Sequence, residues 1–200
     1  HHALVRDYTA FEISNDDPDV VKGRAGSPYA VKDYYNVNPD LAVNPAKRLE
    51  EFEALIARTH KNKMKVIIDI VPNHIARKYE GKSNPKGVRD FGADDNTAVE
   101  YDRNNNFYYI PNQGFQVPTS EYYKPLNGEV NTLNDGKFDE NPAKWTGNGS
   151  RLAKPDINDW YETVKINYGI RPDGSKDFPE LPQGFDKKTY QEHFEFWKDK

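Results

Sequence analysis

The chain has 200 residues, 32 acidic against 28 basic, with the two signs interspersed and a formal net charge of −4. No basic stripe marks a nucleic-acid footprint, no run approaches the ~20 apolar residues of a membrane span, and no secretory leader or lipidation motif is legible. The absence of cysteine excludes a disulfide framework, a thiolate zinc site and a cysteine nucleophile, and leaves the compartment open.

Hydrophobic residues make up only 36% of the chain, yet aromatic residues make up 13%. Rings must therefore supply much of the core or of a binding surface. Residues 3–44 read as one long excursion broken by Asp16, Asp17, Pro18, Gly23, Gly26, Ser27 and Pro28, and the tyrosines Tyr29, Tyr34 and Tyr35 favour a functional loop.

Asn44 and Pro45 supply an N-cap and a first-turn proline. Leu49, Phe52, Leu55 and Ile56 come after them at spacings of three and four, which predicts an amphipathic helix. His60, Lys61 and Lys63 crowd its far end, where cations suit the helix dipole, and Asn62 is placed to adopt the left-handed conformation that stops it. A strand is predicted at once from Met64 to Val71. Val66, Ile67, Ile68, Ile70 and Val71 fit a strand packed on both faces, so Asp69 in its midst requires a partner. Helix and strand form the αβ half of a parallel βαβ unit, which needs neighbouring strands.

Beyond His74 the chain is dense in Asn, Gly and Pro with aromatics between them, which predicts short antiparallel strands and turns in an inserted subdomain. Its rings, among them Tyr79, Phe91, Tyr101, Phe107, Tyr108, Tyr109, Phe115, Tyr122, Tyr123, Phe138 and Trp145, are expected mostly in the core. A helix is predicted from Ile157, burying Trp160, Val164, Ile166 and Tyr168 and closed by Gly169. Residues 170–187 read as loop, and residues 188–200 as a terminal helix. Asn131, Asp135 and Gly136 fit part of a calcium-loop pattern, but Leu133 and Pro142 stand where oxygen ligands are needed. The acidic run Asn15, Asp16, Asp17 and Asp19 reads as a solvated turn, and the five histidines show no zinc-ligand spacing.

Three stretches, GSPYAVKDYYNVNPDLA (Gly26 to Ala42), VIIDIVPNH (Val66 to His74) and KPDINDW (Lys154 to Trp160), resemble in order and spacing the α-amylase family of glycoside hydrolases, family thirteen. The resemblance implies an α/β fold, a partial (β/α)8 TIM barrel with an inserted irregular, β-containing domain B. Residues 1–74 would be the loop after the second barrel strand, the second helix and the third strand. Residues 75–155 would be domain B, and residues 156–200 the third helix with the loop and helix after it. A complete barrel needs about 250 residues, so the remainder of the same barrel is an expected partner, carrying the family's nucleophile Asp, acid/base Glu and third Asp.

Position by position, the resemblance implies that Tyr29 stacks on the sugar at the cleavage subsite and His74 hydrogen-bonds its hydroxyls. It makes Asp69 a buried acid supporting the site's hydrogen bonds. Asn73 and Asn158 fall where calcium-dependent members carry metal ligands, although Asn158 is an amide where those members have a carboxylate. The implied function is that of part of a retaining glycoside hydrolase acting on α-1,4-glucans such as starch and maltooligosaccharides, without the catalytic carboxylates. The alternatives are an α-glucan transglycosylase or branching enzyme, and a non-catalytic carbohydrate-binding protein.

Overall fold

The structure is a computed structural model that describes residues 8–22, 26–119 and 134–178, together with Gln191 and Glu195. Its one longer helix among these residues, α1 (Arg48–Lys61), starts three residues later than the sequence predicts, because the Asn44 cap and Pro45 open a 3-10 turn (Pro45–Lys47) that leads into it. The Asn44 side chain accepts from Ala46 N at 3.0 Å, and Glu51 reaches back to accept from the amides of Val43 and Asn44, both at 2.8 Å. The stop is shifted by one residue. Asn62 has a φ of −88°, and its side chain donates to the Arg58 carbonyl, while Lys63 takes the left-handed conformation with a φ of 59°.

The strand predicted over residues 64–71 does not form. The segment carries no ladder pairing, and Ile67, Ile68 and Ile70 are 94%, 59% and 65% exposed. A strand apolar on both faces is stable only between neighbours, and the described residues place none beside it. Asp69 is accordingly exposed rather than buried, and it makes no hydrogen bond among the described residues.

Strand pairing starts three residues further on. Strand β1 (His74–Ala76) pairs antiparallel with β4 (Thr163–Lys165), and β2 (Tyr109–Ile110) pairs antiparallel with β3 (Ala143–Lys144). The helix predicted from Ile157 is thus replaced by a turn and a strand. Thr163, Val164 and Ile166 are β-branched, and Val164 and Ile166 are buried at a spacing of two, so strand periodicity prevails over the helical spacing of the same residues. Of the predicted terminal helix, Gln191 and Glu195 are helical and the rest lies outside the described residues, as do Tyr122, Tyr123, Asn131 and Leu133.

Alternation along residues 107–110 divides the core in two. Tyr108 and Ile110 face one cluster, with Val20, Phe115, Ala143, Trp145, Ala153 and Tyr161; Phe107 and Tyr109 face the other, with Ile75, Val164 and Ile166. Tyr108 stacks on Trp145 with ring centroids 4.4 Å apart. The described insert aromatics are thus largely core, as the sequence implies.

Arg77, one residue past β1, is fully buried. Its guanidinium donates to the carbonyls of Tyr161 (2.6 Å), Lys144 (3.4 Å) and Thr163 (3.4 Å), pairs with the buried Glu140 carboxylate, and lies 4.1 Å over the Phe115 ring. Burial pushes its pKa down and the Glu140 charge opposes that shift. Replacing Arg77 with Met takes away the buried partner of the Glu140 carboxylate and leaves it with Lys144 alone, whose amine lies 3.3 Å away and whose backbone N donates at 2.7 Å. We expect a loss of about 3–5 kcal/mol in urea unfolding, much of it recovered in the double variant Arg77→Met with Glu140→Leu.

Candidate functional site

The predicted residues Tyr29, Asn73 and His74 converge where the extended segment enters β1. The end of that segment is pinned from outside: the Tyr34 hydroxyl donates to the Val71 carbonyl at 3.2 Å, the Tyr168 hydroxyl to that of Pro72 at 2.5 Å, and Ile166 N to that of Asn73 at 3.1 Å. Ala76 N donates to the Val31 carbonyl at 2.8 Å, which lays the loop of Tyr29 along β1. Within that loop the amides of Tyr29 and Ala30 both turn onto Ser27, at 3.2 Å each. Ala30 is buried and anchors the turn, so the Tyr29 ring is left 52% exposed beside the strand end.

His74 is only 7% exposed. Desolvation lowers its pKa below 6.5, the Lys165 charge adds to that, and the Glu162 charge and the Tyr29 backbone carbonyl, which accepts from the ring, oppose it. The ring meets the Trp160 indole edge-on, with centroids 5.4 Å apart, and the indole is 48% exposed. Trp160 N donates to Asn148 Oδ1 at 3.2 Å, and Asn148 Nδ2 donates to Asp159 at 2.7 Å, so the tryptophan is held by the loop of residues 146–150. That loop passes so close that a Cβ on Gly147 would lie 2.1 Å from Thr163 Oγ1 and 3.2 Å from His74 Cβ; only glycine fits.

Asn73 bridges the two sides. Its Nδ2 is 3.1 Å from the Gly147 carbonyl and 3.0 Å from His74 Nδ1, and its Oδ1 accepts from Lys165 Nζ at 3.2 Å. Lys165 is opposite His74 in the β1–β4 register, and burial pushes its amine pKa down. The other two predicted positions are not brought in. Asp69 is exposed on the extended segment, and Asn158 is exposed in a turn where its N and Nδ2 both donate to Asp156 Oδ1, at 2.8 and 2.9 Å.

Trp160, Gly147 and Lys165 complete the cluster, and sequence reasoning misses all three as site residues. The helical spacing of Trp160 to Val164 hides the tryptophan. A strand reading of residues 163–166 would have put Lys165 on the face opposite Val164, at the strand end beside His74. An exposed indole against an imidazole, with an exposed tyrosine whose backbone carbonyl meets the same imidazole, is suited to a ring-shaped polyol. Aromatic faces cover apolar C–H surfaces, and the imidazole supplies directional hydrogen bonding.

The family model of the α-amylase catalytic domain matches residues 15–151, which include Tyr29, Asp69, Asn73, His74 and Gly147 but not Trp160 or Lys165. The chain is 29% identical over 111 residues to alpha-amylase 3 of Dictyoglomus thermophilum, a match covering 53% of this chain and 20% of that protein. It is 33% identical over 52 residues to trehalose-6-phosphate hydrolase of Bacillus subtilis, covering 26% of this chain and 8% of that one. These matches thus span a fifth or less of the length of either relative. No solved structure matches. With the family model matching well over half of its length, the chain belongs to the α-amylase family, the glycoside hydrolases whose catalytic domain is a (β/α)8 barrel.

Proposed function

We propose that this chain forms the substrate-holding wall of a retaining glycoside hydrolase acting on α-1,4-glucans, starch and maltooligosaccharides. The observation that carries the reading is the meeting of Tyr29 and His74, far apart in sequence, with the Tyr29 carbonyl against the imidazole and both aromatic faces of the cluster open to solvent. Tyr29 stacks on the glucose ring, and the His74 ring N–H that meets the Tyr29 carbonyl is shared with a hydroxyl of the same sugar. Residues 1–74 and 156–200 belong to the barrel, residues 75–155 form the inserted domain, and the exposed apolar segment of residues 64–71 is a barrel strand whose neighbours come from the rest of the domain. Asp69 on that strand would then be enclosed and bonded.

Hydrolysis with retention needs two carboxylates about 5–5.5 Å apart, one attacking the anomeric carbon and the other protonating the leaving oxygen before activating water. In this reading they are supplied by other barrel strands, and this chain holds the sugar in register with them.

Two outcomes are expected. The full-length protein releases reducing sugar from amylose while the 200-residue chain alone does not. In the full-length protein, Tyr29→Ala and His74→Ala each lower kcat/KM roughly ten-fold or more, equivalent to about 1.4 kcal/mol of lost transition-state binding. Glucan retention on an affinity gel without any sugar release would replace the hydrolase with a binding protein, and longer oligosaccharide products would replace it with a transglycosylase.

The imidazole also sets a pH dependence. His74 titrates below 6.5 in the folded protein because burial disfavours its charged form. The folded state then binds fewer protons than the unfolded one, so this group's contribution to stability is complete above pH 6.5 and is lost as pH falls from there towards the folded pKa. Following the His74 ring resonances by NMR through that window should show a midpoint below 6.5, and thermal melting should weaken over the same range.

A further inference from the structure

The partners of the Asn73 amide fix its orientation without ambiguity. Lys165 Nζ only donates, so the atom 3.2 Å from it is the amide oxygen; the Gly147 carbonyl only accepts, so the atom 3.1 Å from it is the amide nitrogen. The remaining Nδ2 proton is then aimed at His74 Nδ1, 3.0 Å away, which must accept it and carry no proton. The ring's proton therefore resides on Nε2. A chain of contacts runs from Lys165 through Asn73 to His74, and its starting point is set by a backbone ladder that places Lys165 opposite His74.

Calcium is the ion that the family resemblance attaches to Asn73 and Asn158, and the residues present do not fit it. The Asn73 oxygen already faces a cationic amine, and calcium takes six to eight oxygens. Asn158 is turned onto Asp156 rather than towards Asn73. Among the described residues no group of three or more His, Asp or Glu could hold a metal ion.

We propose that Lys165 is the resident cation of this site: a positioning residue that fixes the Asn73 amide, and through it the His74 ring, in the place of a bound metal ion. The charge is delivered by a strand and is not exchangeable with solvent, so the His74 orientation is independent of calcium. Nothing in this assignment requires a glucan, so it stands or falls apart from the substrate reading.

The test uses the full-length protein, calcium chloride alone and EGTA. Melting temperature and calcium calorimetry of the wild type are compared with those of Asn73→Ala, Lys165→Met and Lys165→Arg, and the His74 tautomer is read from ring nitrogen shifts. The expected result is that any calcium response is absent or unchanged in Asn73→Ala. Lys165→Met should lower the melting temperature and release His74 into a mixture of tautomers, and Lys165→Arg should restore the single Nε2-protonated form. A calcium-dependent stabilisation of the wild type that Asn73→Ala abolishes would overturn the assignment. So would a Lys165→Met protein with an unaltered tautomer. Should Lys165→Met fail to fold, the calcium comparison of wild type with Asn73→Ala still decides.

Discussion

The buried Arg77 guanidinium is the constraint on which the architecture depends. Its donors are shared among three carbonyls on two segments distant from it in sequence, Lys144 and residues 161–163, and the Glu140 carboxylate balances its charge. A buried pair of this kind is weak as a source of stability, because desolvation of both ions offsets most of their attraction; what it imposes is arrangement, since any other docking of the segments leaves a charge unpaired. The consequence reaches the candidate site directly. His74 lies three residues before Arg77, and Trp160 and Lys165 lie on either side of Tyr161 and Thr163, whose carbonyls Arg77 holds.

Around this centre the strands are only two or three residues long, too short to hold a subdomain by ladder bonds. Tyrosines do that work through both ends of the side chain. Tyr108 buries its ring against Trp145 and donates its hydroxyl to the Ile170 carbonyl at 2.7 Å; Tyr109 donates to Asp95 at 3.0 Å, and Tyr101 to Asp177 at 2.6 Å. Asp95 also accepts from the amides of Asn106 and Phe107, at 2.7 and 3.0 Å, so a single carboxylate ties a loop to a core tyrosine. Each phenol is locked in its neutral form, Tyr108 with its pKa pushed up to about 12 by burial. An aromatic-rich, aliphatic-poor composition thus yields a core in which the rings give burial and their hydroxyls give direction.

Local signals are legible in the sequence, and signals that depend on distant partners are not. The turn that leads into α1 is legible because Asn44, Pro45 and Glu51 act close together along the chain. The Met64–Val71 strand is not, because pairing depends on neighbouring strands that the described residues do not place beside it. Residues 160–168 satisfy a helical spacing and a strand alternation at once, and only the long-range partner, β1, decides between them. Tyr29, Asn73 and His74 are accessible through the family resemblance, which reads residues and not contacts. Arg77 gives no signal, since an arginine in an otherwise polar segment looks like a surface residue until Glu140 and Phe115 are folded over it.

The exposed segment before His74 gives the site its asymmetry. Ile67 and Ile68 are adjacent on a segment without ladder pairing, and both are open to solvent. Enclosing each such side chain contributes about 1.5–3 kcal/mol, so the segment is the place where the described structure leaves the most apolar burial unrealised. Its far end, by contrast, is held firmly by Tyr34, Tyr168 and Ile166. The Asn73–His74 step therefore joins a fixed platform to an uncovered strand. Neighbouring strands that cover Ile67, Ile68 and Ile70 would extend the order already present at Val71 back along the segment, enclosing Asp69 and fixing the imidazole from both directions. In the proposed reading the cluster of Tyr29, His74 and Trp160 is one wall of a cleft, and the buried Arg77 and the paired strand that carries Lys165 fix its arrangement.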